Sequence, residues 1–195
     1  YKIEDEKLRP YIYADTLNTV LKKNRAFDSD LHNQERERIT TRLRNNGYYA
    51  FSKDYIFFDA DSTLGNYMVS DTMVVKPPLV NQDKQMVYQG NHKQYKYRDV
   101  YYIIGNNPQK ALVANEQFDT LTFKGAYFLY HNNIDVHPMV LLESSYITPG
   151  EIYDASQVDK TRLLLSSLSI FRYIDIKFKP VDADSTANEF GQLDC

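Results

Sequence analysis

The sequence predicts an α+β fold made of two copies of one small unit, and three observations support this. Strand-forming aromatic residues are abundant, with 17 Tyr and 10 Phe against only 7 Gly in 195 residues. Segments with helical caps and periodicity are followed by strand-like segments in each half of the chain. The pentapeptide DADST at residues 59–63 recurs 123 residues later, at residues 182–186. We therefore expect two tandem β-α-α-β-β modules, each with a three-stranded mixed sheet covered by two helices.

Composition excludes several classes of function. Apolar residues make up 43% and charged residues 25% of the chain, in the usual range for a soluble globular protein. The net charge is −3 with both signs interspersed, so the basic surface that nucleic acid requires is not expected. No apolar run approaches the ~20 residues that span a bilayer as a helix.

The first half predicts two helices and then two strands. An irregular helix is expected at residues 5–22. A clearer helix is expected at residues 30–46, with Asp30 as the N-cap and Gly47 as the left-handed terminator. Strands follow at 48–58 and 67–76. The charged residues of the second helix are interpreted as its solvated face: Glu35, Arg36, Glu37, Arg38, Arg42 and Arg44.

The second half repeats this order. A strand is expected at 95–104, a short helix from Pro138, and a second helix opened by Asp154 with Gln157 completing a capping box. Val158, Thr161, Leu165 and Leu168 form one stripe of that helix. Alternation predicts a strand at residues 171–178, and a final strand begins at Gly191.

These elements divide the chain into domains. We expect a first module at 1–80 with a truncated first strand, a polar linker at 81–92, and a second module at 93–195 with a truncated last strand. Residues 106–136 of the second module are expected to form a β-hairpin insertion, since residues 118–130 alternate and contain Gly125.

Several motifs carry a family resemblance. Residues 43–49, LRNNGYY, join the predicted helix to the strand after it. In the second half PGEIY at 149–153 precedes TRLLL at 161–165 and LSIFRYIDI at 168–176. In order and spacing these motifs resemble the POTRA domains of the BamA/TamA family of outer-membrane protein assembly factors, over nearly the whole chain.

The resemblance implies a non-enzymatic protein without a cofactor, on the periplasmic face of the bacterial outer membrane. Members of the family carry a C-terminal β-barrel that inserts or exports outer-membrane proteins. The partners implied are unfolded outer-membrane proteins or extended peptides, the chain's own barrel and accessory lipoproteins. Contact with the membrane would occur only through the barrel.

Edge-strand chemistry suggests how such a module works. An open sheet edge offers unpaired N–H and C=O groups to an extended peptide. Each hydrogen bond contributes only ~0.5–1.5 kcal/mol, while ordering each peptide residue costs ~1–2 kcal/mol, so binding is weak and tolerant of sequence. The edges expected to bind clients or partners are formed by Tyr55, Ile56, Phe57 and Phe58 in the first module and by Phe171, Arg172, Tyr173, Ile174, Asp175, Ile176, Lys177 and Phe178 in the second.

Two alternative functions compete with this one. Asp59 and Asp61 after an apolar strand resemble the first motif of haloacid-dehalogenase-type phosphatases, which use a nucleophile, a general acid/base and Mg²⁺. That hypothesis requires a helix next, whereas residues 64–76 have a strand pattern, so an acidic hairpin loop is the favoured interpretation. The other alternative is a structural interaction domain of a different periplasmic protein.

The remaining reactive residues indicate no further chemistry. His32, His92, His131 and His137 lack the spacing of metal ligands and are expected on the surface. Cys195, the single cysteine, is expected to be a small core residue. Tyrosines that could stack on sugars or bases are instead predicted to be half-buried in strands: Tyr95, Tyr97, Tyr101 and Tyr102.

Overall fold

The computed structural model of the chain describes residues 1–23, 25–63, 69–82, 85–105, 118–131, 133–134, 136–181 and 189–195. The chain forms two compact units, Tyr1–Lys93 and Gln94–Cys195. Both contain helices and mixed sheets, so the α+β class predicted from the sequence is confirmed.

In the part of the first unit that the structure describes, there are five strands and two α-helices. In chain order these are β1 (Lys2–Ile3), α1 (Arg9–Tyr13), α2 (Ser29–Arg44), β2 (Ile56–Asp61), β3 (Ser70–Val75), β4 (Leu79–Gln82) and β5 (Gln85–Tyr88), with 3-10 turns at Thr16–Asn18 and Lys53–Tyr55. The main sheet has the order β1-β3-β2, with β1 parallel and β2 antiparallel to β3. Strands β4 and β5 pair as a separate hairpin.

Helix α2 covers this sheet. Its N-cap is Asp28 and not Asp30, because the Asp28 carboxylate accepts the N–H groups of Asp30 and Leu31 at 2.8 and 3.4 Å. The helix ends before Gly47, whose φ of +95° is the left-handed value expected of a terminator. The buried core is formed by residues of α1, α2, the three sheet strands and the segments next to the two helices: Ile3, Leu8, Ile12, Ile39, Leu43, Tyr48, Phe51, Ile56, Met73 and Val75.

Residues 81–92 differ from the expected linker. Strands β4 and β5 include residues 81–82 and 85–88 of this segment, and they belong to the first unit. The Tyr88 ring packs edge-on against Phe57 at 6.3 Å, and the Lys76 ammonium lies 4.8 and 4.9 Å from the centres of those two rings. The two strands are mostly solvent-exposed and therefore rich in polar residues, which is why the sequence indicated a linker here.

The described residues of the second unit form six strands and two α-helices. These are β6 (Gln94–Tyr97), β7 (Tyr101–Ile103), β8 (Asp119–Phe123), β9 (Ala126–Tyr130), α3 (Pro138–Glu143), α4 (Ala155–Ser167), β10 (Lys179–Val181) and β11 (Phe190–Asp194). One sheet has the order β10-β11-β6, with β6 parallel and β10 antiparallel to β11. The second sheet has the order β7-β9-β8.

Helix α4 begins at the expected cap. The Asp154 carboxylate accepts the Ser156 N–H at 2.8 Å, and the stripe of Val158, Thr161 and Leu165 is buried. The capping box is not completed, because the N–H of Asp154 donates to the Tyr97 hydroxyl at 3.4 Å.

The strand expected at residues 171–178 is absent from the fold, and all of these residues lie within the described part of the chain. The strand that pairs antiparallel with β11 is β10, which begins at Lys179. Phe178 instead packs its ring against Tyr97 and Tyr153 at 6.0 and 5.5 Å. The alternating hydrophobicity of residues 171–178 therefore reflects apolar contacts of their side chains. It does not reflect a strand, because their backbone is not paired with a neighbouring strand.

A hairpin occurs inside the segment where the sequence indicated an insertion. Strands β8 and β9 are joined by Lys124 and Gly125, with φ of +48° and +80°, the values of a tight two-residue turn. Residues 106–117, and the second copy of the repeated pentapeptide at 182–186, lie outside the described residues.

Candidate functional site

Strand β2 forms an edge of the first unit's sheet, and the hydrogen-bond register shows which of its backbone groups point outward. The Lys76 N–H donates to the Tyr55 C=O at 2.9 Å, which sets the alternation along the antiparallel pair. Phe57 therefore faces β3, as do Asp59 and Asp61. The N–H and C=O groups of Phe58 and Ala60 point away from the sheet.

These outward groups are open within the described structure. The N–H of Ile56 donates to the Lys53 C=O, so this residue offers only its C=O. No described residue forms a backbone hydrogen bond to the outward groups of Phe58 or Ala60. An extended peptide can therefore add to this edge through two complete residues and one further carbonyl.

Aromatic side chains flank the edge on both faces of the sheet. On the helix side, Phe58 contacts the His32 ring edge-on at 4.6 Å, and the Arg36 guanidinium lies 5.3 Å from the Phe58 ring centre. The exposed Phe27 ring lies 4.6 Å from His32 and lines an open groove with Leu31. On the opposite face, Phe57 packs against Tyr88 as described above. A bound strand would thus have apolar surface on either side.

His32 is buried between α2 and β3, contrary to the expectation of a surface histidine. Only 8% of its surface is exposed. Its Nδ1 lies 2.5 Å from the Asp28 C=O, and its Nε2 contacts the Asp71 carboxylate. Both ring nitrogens face hydrogen-bond acceptors, so only the doubly protonated imidazolium can donate a hydrogen bond to each of them. Burial alone would lower the pKa of His32, but these two hydrogen bonds raise the pKa above its ordinary value.

His92 is also buried rather than on the surface, with 4% exposed. Its backbone N–H and its Nδ1 lie 2.6 and 2.8 Å from one carboxylate oxygen of Asp5. Burial would raise the pKa of Asp5, but the hydrogen bonds from His92 hold it below its ordinary value. This pair joins the chain after the hairpin β4–β5 to the chain after β1.

The corresponding edge of the second unit is less suited to strand addition. The Arg98 N–H donates to the Leu193 C=O at 2.7 Å, so Leu193 faces β6. Lys179 and Val181 therefore face β11, and Pro180 points outward. Since proline has no N–H, this edge lacks the donor that an added strand needs.

The outer side of β6 is already occupied. The backbone C=O of Tyr97 accepts the Gly150 N–H at 2.7 Å, and the Tyr97 N–H donates to the Glu151 C=O at 2.9 Å. The backbone C=O of Tyr95 accepts the Tyr153 N–H at 2.9 Å. Of the two predicted client-binding edges, residues 56–58 lie on an exposed edge strand. Tyr55 ends the preceding 3-10 turn, and residues 171–178 lie on no strand.

The arrangement required by the phosphatase hypothesis is not present. Asp59 and Asp61 lie on β2, and the next described element is the antiparallel strand β3 rather than a helix. Asp61 accepts the backbone N–H and the hydroxyl of Thr63 at 2.9 and 2.6 Å, as in a turn. These bonds lower the pKa of Asp61. In the described parts of the chain, no three His, Cys, Asp or Glu residues are grouped as metal ligands.

The other candidate residues are packed into the second unit. Burial raises the pKa of the Cys195 thiol to about 12, which keeps it protonated at neutral pH. Tyr101 stacks on Tyr127 at 5.0 Å, and Tyr102 on Phe128 at 4.8 Å. No helix among the described residues has the length and apolar character to cross a membrane.

Comparison with solved structures agrees with the resemblance found in the sequence. The chain aligns with the crystal structure of BamA from Haemophilus ducreyi lacking POTRA domains 1-3, with a TM-score of 0.59 and 12% identity over 98% of this chain. The chain spans 27% of the length of that structure. The similarity therefore establishes a shared fold, and the resemblance predicted from the sequence is confirmed at that level.

Two further structures align over 99% of the chain at 12% identity. They are POTRA3-5 of BamA from Haemophilus influenzae and the N-terminal domain of Omp85 from Thermosynechococcus elongatus, of which 92% and 93% are covered. Their TM-scores of 0.33 and 0.25 are too low to support a structural argument. No known protein-family profile matches the sequence, and no curated protein matches it.

Proposed function

We propose that this chain is a pair of POTRA-like β-α-α-β-β modules in a factor that assembles or translocates outer-membrane β-barrel proteins. In this role it is a non-enzymatic, chaperone-like scaffold on the periplasmic face of the outer membrane. The fold shared with BamA supports the proposal. The strand order supports it as well, because the sheets β1-β3-β2 and β10-β11-β6 are arranged alike. In each of them the central strand is the last of the three in the chain, the first strand pairs parallel to it and the second pairs antiparallel to it.

The proposed activity is weak binding of extended strands from client or partner proteins along β2. The observation that carries it is the open backbone of Phe58 and Ala60 on an edge strand with aromatic rings on both faces. Up to five hydrogen bonds at ~0.5–1.5 kcal/mol each are largely offset by the entropy of ordering the peptide. Such binding releases its client readily, as a scaffold that transfers clients must.

The structure changes which residues carry this proposal. Residues 171–178 are no longer part of it, because they form no strand, and β10 has proline at its outward position. The other proposed partners are the β-barrel of the full-length protein and accessory lipoproteins. The first unit is therefore the proposed client-binding unit.

The test is an NMR titration of the isotope-labelled chain with extended peptides taken from outer-membrane β-strands. We expect shifts at the amides of Phe58 and Ala60, with a dissociation constant on the order of 10⁻³ M. Ala60→Pro should abolish them, since it removes an outward N–H without removing a bond to β3. Ala60→Val keeps the N–H and should retain binding.

Two results would contradict the proposal. One is the absence of any shift at millimolar peptide, which would indicate a spacer or partner-docking role. The other is equal binding by Ala60→Pro and Ala60→Val, which would place the bound peptide away from the β2 edge.

A further inference from the structure

The inserted sheet β7-β9-β8 has a second open edge, at β8. The N–H of Tyr127 donates to the Val100 C=O, and the C=O of Leu129 accepts the Ile104 N–H, both at 2.9 Å, so these two residues of β9 face β7. The alternate residues of β9, which are Ala126, Phe128 and Tyr130, face β8 and pair with Phe123, Leu121 and Asp119. The backbone groups of Thr120 and Thr122 therefore point outward.

Little in β8 protects this edge. The strand contains no proline, and no described residue forms a backbone hydrogen bond to Thr120 or Thr122. Leu121 lies on the same face as the fully buried Phe128, yet 37% of its surface is exposed, because no described strand lies on the outer side of β8. Natural edges of this kind are usually blocked by proline, an inward charge or a bulge.

Charges are placed only at the two ends of the strand. Asp119 begins β8 and Lys124 follows its last residue, and neither forms an ion pair with any described residue. A strand that adds antiparallel to β8 should therefore begin with an acidic residue and end with a basic one. β8 itself has this order of charges.

We propose that β8 pairs with β8 of a second copy of this chain, antiparallel and about a two-fold axis at Leu121. Thr120 of each copy then forms a hydrogen-bonded pair with Thr122 of the other. The two Leu121 side chains cover each other on the axis, and Asp119 of each copy lies beside the end that carries Lys124. The product is a continuous six-stranded sheet with an isologous interface.

The charge order also selects the direction of pairing. Parallel self-pairing in register would place Asp119 beside its own copy and Lys124 beside its own copy, which is repulsive. Since the paired strands are only five residues long, the interface is smaller than that of a stable dimer. We expect a concentration-dependent equilibrium with a dissociation constant on the order of 10⁻⁴ M or weaker.

Disulfide trapping of the full chain tests the register. In a Cys195→Ser background, Leu121→Cys places two thiols at a non-hydrogen-bonded antiparallel pair, where the Cα atoms are about 4.5 Å apart, within the range for a disulfide. The control is Leu163→Cys on α4, where the native side chain is 70% exposed. We expect covalent dimer to form at least about tenfold faster with Leu121→Cys at equal concentration. Equal rates would overturn the proposal.

Charge reversal tests the complementarity. Asp119→Lys in the Leu121→Cys chain should slow trapping severalfold, and adding Lys124→Asp should restore the original rate. Aspartate tolerates the left-handed conformation at residue 124, and circular dichroism checks that each variant is folded. A double variant that dimerises as slowly as Asp119→Lys would overturn the proposed pairing. Because the test uses no peptide and leaves β2 unchanged, its outcome is independent of the proposed client binding.

Discussion

A single carboxylate oxygen of Asp5 binds both the backbone N–H and the imidazole Nδ1 of His92, at 2.6 and 2.8 Å. Both side chains are buried, and the rings of Phe51 and Tyr55 enclose the imidazole edge-on at 5.0 and 4.6 Å. The oxygen therefore connects two points of the first unit that are 87 residues apart. It also holds the chain that follows β5 against the chain that follows β1.

Replacing Asp5 should destabilise the first unit. Asp5→Ala leaves two buried donors of His92 without their acceptor, and we expect a loss of about 2–3 kcal/mol in the free energy of unfolding. Asp5→Asn keeps an oxygen that can accept the backbone N–H, so its loss should be smaller. The measurement is urea unfolding of the full chain, followed through the amide signals of the first unit.

The control for Asp5 is its exposed neighbour Glu6, whose contact with Arg9 is a surface ion pair at 3.4 Å. Glu6→Gln should change stability by less than about 0.5 kcal/mol. If Asp5→Ala were no more destabilising than Glu6→Gln, the pair with His92 would contribute nothing to the fold.

Glu35 is the second group on which the first unit depends. Its side chain is fully buried, and Arg38 donates to its two oxygens at 3.0 and 2.8 Å from Nε and Nη2. The Val20 N–H donates to it at 3.1 Å, and Arg38 also binds Asp15. Hydrogen bonding to Glu35 raises the pKa of Arg38, and the ion pairs attach the irregular segment 14–21 to α2.

Arg38→Met should therefore cost about 3 kcal/mol, because it leaves the buried Glu35 charge without its partner. The lower end of the range for buried pairs applies, since 21% of the Arg38 side chain is exposed. Glu35→Leu combined with Arg38→Met removes both charges and should recover more than half of the loss. Urea unfolding measures both variants.

The matched control is Glu37→Gln, which breaks an exposed ion pair with Lys53 and should cost less than about 1 kcal/mol. A double variant less stable than Arg38→Met alone would show that Glu35 acts through packing or through the Val20 bond, and not as an unpaired charge.

Glu35 also shows where prediction from the sequence failed. The buried stripe of α2 consists of His32, Glu35, Ile39 and Leu43, spaced by three, four and four residues. Apolar periodicity alone identifies only its second half, because the first half is polar. Extending the same spacing back from Ile39 would have placed Glu35 and His32 on the buried face. Their partners come from distant segments, and a single sequence does not reveal such pairs.

The elements that were predicted correctly have a local physical cause. Gly47 ends α2 because the left-handed conformation strongly favours glycine, and Asp154 caps α4 with its own carboxylate. The strand at residues 171–178 failed because strand formation requires a hydrogen-bonded neighbour, and β11 pairs three residues beginning at Lys179 instead. Residues 56–58 were correctly predicted to lie in a strand. Which of their backbone groups point away from the sheet follows only from the register with β3.

His32 predicts an unusual dependence of stability on pH. Its two ring nitrogens face acceptors, and the folded-state pKa is raised above the value of 6.5. A raised pKa means that the folded state binds the proton more tightly than the unfolded state does. The stabilisation is therefore complete below the unfolded pKa and is lost as the pH rises through the folded pKa.

We expect the free energy of unfolding of the first unit to fall as the pH rises from 5.5 to 8.5, with His32→Gln removing this slope. Asp71→Asn should reduce it, since the amide replaces the charge that favours the imidazolium. His131→Gln, which removes a histidine of the second unit, should leave it unchanged. Urea unfolding at a series of pH values measures the slope. A stability that rises with pH over this range would show that His32 is neutral in the folded protein, and that one of its two bonds is made without a proton from the ring.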